Sequence, residues 1–338
     1  MTGRPAHPLL RHLHTVTYRA AAQTFFLTLA FAAGDACAQS TPHDWLERMN
    51  HAIEALNYRG TFVHDVGGGF ETLSVVHRNE DGVVSERVWA REGAGREIIR
   101  HAGVVRAILP DQRTVLLDER KTATSLVAAF PSADVDLAPH YELALGPVDR
   151  VADRSAQLLA ILPRDEYRYG YRLWLDQETA MPLRVQLVEG AGRVLEEIRF
   201  TEIEIGIDIA AEAIEPVTDT TGFAVQRTSP QPITAAEASA WRASSLPSGF
   251  RVSSSMQMFV QGSDQPIDMF VISDGLATVS VHIEQRQDNG RAADSEGFSN
   301  VAGNTLAFRT RRGRSQITAI GEVPPPTLRS IGLSLTNE

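Results

Sequence analysis

Cysteine is almost missing from this chain: Cys37 is the single one in 338 residues. One thiol closes no intrachain disulfide, so packing alone must hold the fold. Lysine is as scarce, with Lys121 the only one. Arginine suits bidentate carboxylate or phosphate contacts, but such usage also reads as codon bias. Chemical motifs are missing too. There is no Gly-x-Ser-x-Gly elbow, no phosphate loop and no dinucleotide fingerprint. Gly67-Gly68-Gly69 precedes no helix start and reads as a hairpin turn. The histidines lack ligand spacing: His43 and His51 sit eight apart, and His64, His77 and His101 fall in separate strand-like runs. Such a pattern reads as surface or hydrogen-bonded histidine, with zinc left open only if neighbouring strands bring the histidines together. These absences argue for a binding protein without catalysis, metal or cofactor.

The first 38 residues read as a secretory signal peptide. Arg4, Arg11 and Arg19 lead into an apolar stretch over 20–33, and Ala36-Cys37-Ala38 is a small-x-small cleavage site before Gln39. The apolar stretch is short for a membrane span. Cleavage would remove the cysteine, three arginines and Asp35, leaving 29 basic against 41 acidic side chains, a net of −12. Such a charge disfavours nucleic acid and anionic membrane as general partners. The length suggests two domains, and about 300 residues can bury a substantial core.

The pattern is mostly that of strands. Trp45, Met49, Ala52, Ile53 and Leu56 form an apolar helical stripe over Pro42–Asn57, with Thr41 as N-cap and Pro42 in the first turn. Strand-like runs follow at 60–66, 70–78, 83–91, 97–101, 104–109 and 114–117, with Asp81-Gly82 as a hairpin turn. The 126–141 stretch, with Pro131 and Pro139, reads as an excursion, and 141–145 as a short helix. Tyr167–Asp176 alternates over ten residues and forms a hairpin with 158–162 across Pro163-Arg164-Asp165. Two more runs, 183–189 and 193–205, complete about ten strands, a width at which an open sheet curls. The expected fold class is α+β: a large curved antiparallel sheet over helical elements, then a smaller α+β domain. The divisions fall at 1–38, 39–214, a proline-rich linker at 215–232, and 233–338. In the last, a capping box at Thr234 opens a helix through Trp241, and strands alternate to Gly321 around a polar loop at 285–299. Pro324-Pro325-Pro326 then starts a helix at 327–335.

The charged residues Asp149, Arg150, Asp153, Arg154, Asp165, Glu166 and Arg168 read as a solvated or salt-bridged outer face, with an interaction surface as the alternative. Tyr167, Tyr169 and Tyr171 either line a ligand groove or belong to the core under the first helix.

Longer stretches carry a resemblance. Asn57-Tyr-Arg-Gly-Thr-Phe-Val63, Glu97-Ile-Ile-Arg100, Gly146-Pro-Val-Asp-Arg-Val-Ala-Asp-Arg154, Arg168-Tyr-Gly-Tyr-Arg-Leu-Trp-Leu-Asp176, Ser273-Asp-Gly-Leu-Ala-Thr-Val-Ser-Val281 and Gly321-Glu-Val-Pro324 resemble the RseB/MucB family, from about Trp45 to the C-terminus. The resemblance implies a periplasmic negative regulator of the sigma-E envelope-stress response, with no catalysis. It implies a large domain similar to the lipoprotein carriers LolA and LolB, a half-barrel covered by helices. The implied partner is the periplasmic domain of an anti-sigma factor of the RseA/MucA kind, shielded from stress proteases until a lipid or lipopolysaccharide relieves the shielding. The runner-up is a periplasmic carrier of lipid or lipoprotein. A homo-oligomer stays open. For the lipid hollow the candidates are Phe62, Trp89, Phe130, Tyr169, Tyr171 and Trp174; for partner contact, Met256, Met258, Met269 and Phe270. Each is equally a core residue by type.

Overall fold

A computed structural model describes residues 40–93, 95–118, 136–228, 231–232, 240–258, 266–285 and 296–337. The expected leader, Phe130 and most of the helix expected from Thr234 lie outside them.

The first helix, α1, runs Pro42–Ala55. Its start follows from residue chemistry. The Thr41 hydroxyl accepts from the Asp44 amide at 3.2 Å, and the Thr41 amide donates back to the Asp44 carboxylate at 2.7 Å. The carboxylate at this helix start is held below its ordinary pKa by those Thr41 hydrogen bonds, the backbone one first. Trp45, Leu46, Met49 and Ala52 make the buried stripe.

Six strands follow as a meander: β1 (Tyr58–Asp65), β2 (Phe70–Glu80), β3 (Val83–Ala90), β4 (Glu97–His101), β5 (Val104–Leu109) and β6 (Thr114–Asp118). Asp81 and Gly82, with φ of 51° and 83°, make the two-residue turn between β2 and β3 that a right-twisted hairpin favours. A second meander comprises β7 (Tyr141–Val151), β8 (Arg154–Pro163), β9 (Gly170–Asp176), β10 (Pro182–Val188) and β11 (Val194–Ile205), before β12 (Ala224–Thr228). The twelve form one sheet in the order β12-β6-β5-β4-β3-β2-β1-β11-β10-β9-β8-β7. β12 lies parallel to β6; the pairing of β1 to both β2 and β11 joins the meanders. In a flat sheet β7 and β11, four places apart, would stand roughly 19 Å apart at about 4.8 Å per strand. They touch instead, and Val151 and Ala152 share an apolar cluster with Ile203 and Ile205. The sheet therefore curls at this end.

One face of the sheet buries α1 against Leu159, Ile161, Leu173, Leu175 and Val185; each such side chain contributes about 1.5–3 kcal/mol when fully buried. Farther along that face, Tyr58, Phe62, Leu73, Val75 and Val88 pack with Phe200 and Met181. The opposite face is covered near β2–β6 by the segment after β11, through Ile209, Ile214 and Phe223.

The smaller domain holds β13 (Gln231–Pro232), β14 (Trp241–Ala243), β15 (Arg251–Met258), β16 (Ile267–Ser273), β17 (Thr278–Gln285), β18 (Gly297–Ala302), β19 (Thr305–Arg312), β20 (Ser315–Gly321), α2 (Pro325–Ser334) and β21 (Leu335–Asn337). Its sheet runs β13-β15-β16-β17-β20-β19-β18, beside a β14–β21 ribbon. Leu328 and Ile331 of α2 fill one face against Phe270, Val281, Phe308 and Ile317.

Several expectations need correction. Residues 141–145 are strand, not helix: Tyr141 and Leu145 have helical spacing, but the run pairs with β8 from Tyr141 opposite Pro163 onward. The strand expected over Tyr167–Asp176 begins at Gly170, because the Asp165 carboxylate accepts from the Tyr167 amide and closes a turn there. Trp241 lies in a strand, not a helix. β18 occupies the end of the expected polar loop. The proline-rich segment is held along its first half. The Glu97 carboxylate accepts from the Val217 and Thr218 amides at 3.2 and 2.8 Å, and β12 then adds to the sheet.

Candidate functional site

The two sheets meet along a seam, and the β8–β9 turn builds its centre. Having left the strand, Arg168 turns inward and is fully buried. Its guanidinium donates to the Asp274 carboxylate at 2.9 Å, to Asp165 at 3.0 Å and to the Ser248 carbonyl at 2.6 Å. It also lies over the rings of Tyr141 and Phe250, at 5.4 and 5.1 Å. Asp274, in the β16–β17 turn, accepts as well from the Tyr141 hydroxyl at 2.9 Å and from the Leu276 and Ala277 amides. Burial, then the neighbouring Asp274 charge, pushes the Tyr141 hydroxyl well above its ordinary pKa, so it stays a donor. Every charge here is paired and every oxygen satisfied, the condition under which a buried ion pair is tolerated. The surrounding fit is close. Gly249 has φ +85°, and a Cβ there would stand 2.3 Å from His140 Nε2. Tyr167 packs into the small-domain core, and its carbonyl accepts from the Thr327 hydroxyl. The solvated face expected around these charges is thus corrected at Arg168; Arg150 and Asp153 do form an exposed pair.

A second contact lies where β1 and β11 reach the small domain. Asn304 donates to the Leu195 carbonyl at 2.7 Å. Beside it, His64 Nε2 stands 2.7 Å from Glu196, and Nδ1 stands 3.9 Å from Glu71. The hydrogen bond to Glu196 raises the His64 pKa, against burial. Glu322, reached from β20, is raised by burial and by Glu196. Glu322 is nonetheless exposed, so solvent screens much of that effect. Tyr169 and Tyr171 feel the Glu322 charge too, though burial is the larger cause that raises both hydroxyls.

The hollow candidates do not form one set. Phe62 packs at 5.5 Å from the Phe200 ring and lines an apolar cavity with Val75, Val88, Met181 and Ile198. That cavity holds only about 20 Å³, near the space of one water. Tyr171 packs with the α1 cluster, whereas Trp174 lies in the cluster of Leu158 and Leu183, under Arg184 at 4.5 Å. Trp89 sits on the far face with Val76 and Ile99, under Arg87. Among the partner candidates, Met256 stands opposite Met269 on neighbouring strands, and Met258 opposite Ile267. Phe270 faces the other way, into the core under α2.

Sequence reasoning missed a roomier groove of about 460 Å³ over β4 and β5, lined by Arg78, Ser85, His101, Arg106, Ile214 and Pro216. It forms where residues 211–216 lie across the strands, a placement no local signal carries. Among the described residues no three His, Cys, Asp or Glu side chains gather as metal ligands, and no helix is long and apolar enough to cross a membrane.

Comparison with known proteins matches residues 41–218 to the MucB/RseB N-terminal domain and residues 235–336 to the MucB/RseB C-terminal domain. The sigma factor AlgU regulatory protein MucB of Pseudomonas aeruginosa is 33% identical over 298 residues, covering 87% of this chain and 90% of that protein. The sigma-E factor regulatory protein RseB of Escherichia coli K12 is 26% identical over 314 residues, covering 90% and 93%. A crystal structure of MucB in complex with MucA(peri) is similar at a TM-score of 0.69 and 30% identity, covering 88% of this chain and 99% of that one.

Proposed function

The chain belongs to the MucB/RseB family, and from that premise we propose that it is a periplasmic regulator that binds the periplasmic segment of a membrane anti-sigma factor. The observation that carries this reading is the likeness to MucB in complex with MucA(peri), which spans both sheets. Holding the segment shields it from the proteases of the stress response. A lipid-type ligand relieves the shielding.

The small cavity at Phe62 and Phe200 bears on that last step. A chain-like ligand entering there must displace those rings, because about 20 Å³ of space admits no acyl chain. Such a ligand acts only through its preference for the opened arrangement over the partner-bound one. A tenfold change in partner affinity requires about 1.4 kcal/mol of that preference.

The test is a titration of the mature chain with the labelled periplasmic segment, followed by protease digestion of the segment alone and in complex. Saturable binding and slower digestion are expected, and added amphiphile should restore digestion. Absence of binding, with capture of lipid or lipoprotein instead, would establish the carrier reading.

A further inference from the structure

The acidic chain concentrates positive charge in one place. Arg309, Arg311, Arg312 and Arg314 fall within six residues at the end of the β19–β20 hairpin, in a protein of net charge −10. All four are exposed. Arg312 donates to the Leu333 carbonyl at 2.9 Å, near the end of α2. Arg309, Arg311 and Arg314 make no hydrogen bond or ion pair among the described residues. Crowding them is unfavourable, since like unit charges about 4 Å apart repel by ~1 kcal/mol even in water. The nearby acid, Glu296, is already engaged by Arg329 at 3.2 Å and by Thr310.

The strand beside them is β18, at the edge of its sheet, and no described strand pairs with its outer side. Its sequence, GFSNVA, has no charge and no proline to guard that edge, and its one irregularity is the register shift against β19 between Asn300 and Ala302. Phe298 and Val301 are 45% and 55% exposed. Gly297 stands opposite Arg309, so no side chain separates that guanidinium from the open edge.

We propose that the free edge of β18 docks an extended acidic segment of polypeptide, with Arg309, Arg311 and Arg314 taking its carboxylates. The inference rests on the function proposed above and names the occupant as an acidic stretch of the anti-sigma partner. Strand addition supplies main-chain hydrogen bonds, and guanidinium–carboxylate pairs supply register and selectivity. An anionic lipid surface fits less well. It would repel the acidic remainder of the chain and leave the open backbone row of β18 unused.

The test compares binding of the labelled periplasmic segment to the mature chain and to the R309E/R311E/R314E variant, at low and high salt. R150E on the large sheet serves as the control. Expected are an affinity about tenfold weaker for the triple variant with a flattened salt dependence, and no change for R150E. Hydrogen exchange should slow at residues 297–302 of the wild type on binding. If wild type binds and the triple variant binds equally well, the docking surface is wrong and the proposed function stands. If wild type does not bind, both fall. If the triple variant loses binding only to phosphatidylglycerol vesicles, the surface faces lipid and the inference is overturned.

Discussion

The two contacts that hold the small domain to the large sheet are built on opposite principles. At Arg168 the charges are buried and saturated, and the aromatic rings of Tyr141 and Phe250 close over them. At His64 two carboxylates flank one imidazole, the charge of Glu322 reaches it from the small domain, and part of the group stays wet. A dry, fully satisfied pair resists solvent, salt and modest pH change, but losing one member is costly. A wet cluster contributes little in any one state but responds to protons. The first contact therefore sets the placement of the small domain, and at the second the small domain supplies the Asn304 hydrogen bond to Leu195 and the Glu322 charge.

The largest effect should come from breaking the dry knot. R168A leaves the Asp274 carboxylate buried without its cation, and the mature chain should lose ~3–5 kcal/mol in a denaturant titration. A loss below about 1 kcal/mol, the worth of an exposed pair, would remove the distinction between the two contacts. Next comes G249A, which combines a left-handed backbone with the clash on His140. It should cost about 1–3 kcal/mol, with part of the loss recovered in G249A/H140A. N304A, which removes the hydrogen bond to Leu195, should cost ~0.5–1.5 kcal/mol.

Smallest is the response to pH. The folded pKa of His64 is raised, chiefly by Glu196. Its contribution is therefore fully present below the unfolded value of about 6.5 and lost as pH rises through the folded value. Glu322, also raised, acts in the same sense: its ionisation as pH climbs disfavours the contact. Stability should fall between mildly acidic and mildly basic pH by less than about 1 kcal/mol, and H64Q should flatten that fall. An unchanged slope in H64Q would place the proton elsewhere.

The difference between the contacts also marks what could be read from sequence. Local devices were legible. Thr41-Pro42 and the stripe from Trp45 give α1, and Asp81-Gly82 gives its hairpin, because each is settled within a few residues. The Arg168 knot was not. Its carboxylate lies at Asp274, over a hundred positions away, and a charged run such as Asp165-Glu166-Tyr167-Arg168 looks solvated until its partner is known. The hollow candidates lie apart for a related reason. Tyr171 and Trp174 are separated by an odd number of strand positions, so alternation assigns them to opposite faces. Aromatic character alone brings them together on paper. β12 was hidden because its parallel partner, β6, supplies no turn between them to mark the pairing.

That last strand governs how the small domain can travel. The chain leaves the large sheet at Thr228 and enters the small one at Gln231. Three steps of fully stretched backbone reach only about 11 Å. Any wider parting of the halves must first peel β12 from β6 or β13 from β15. The leash thus converts a swing of one body into the unzipping of a sheet margin, which limits the travel over which a regulator of this build could open.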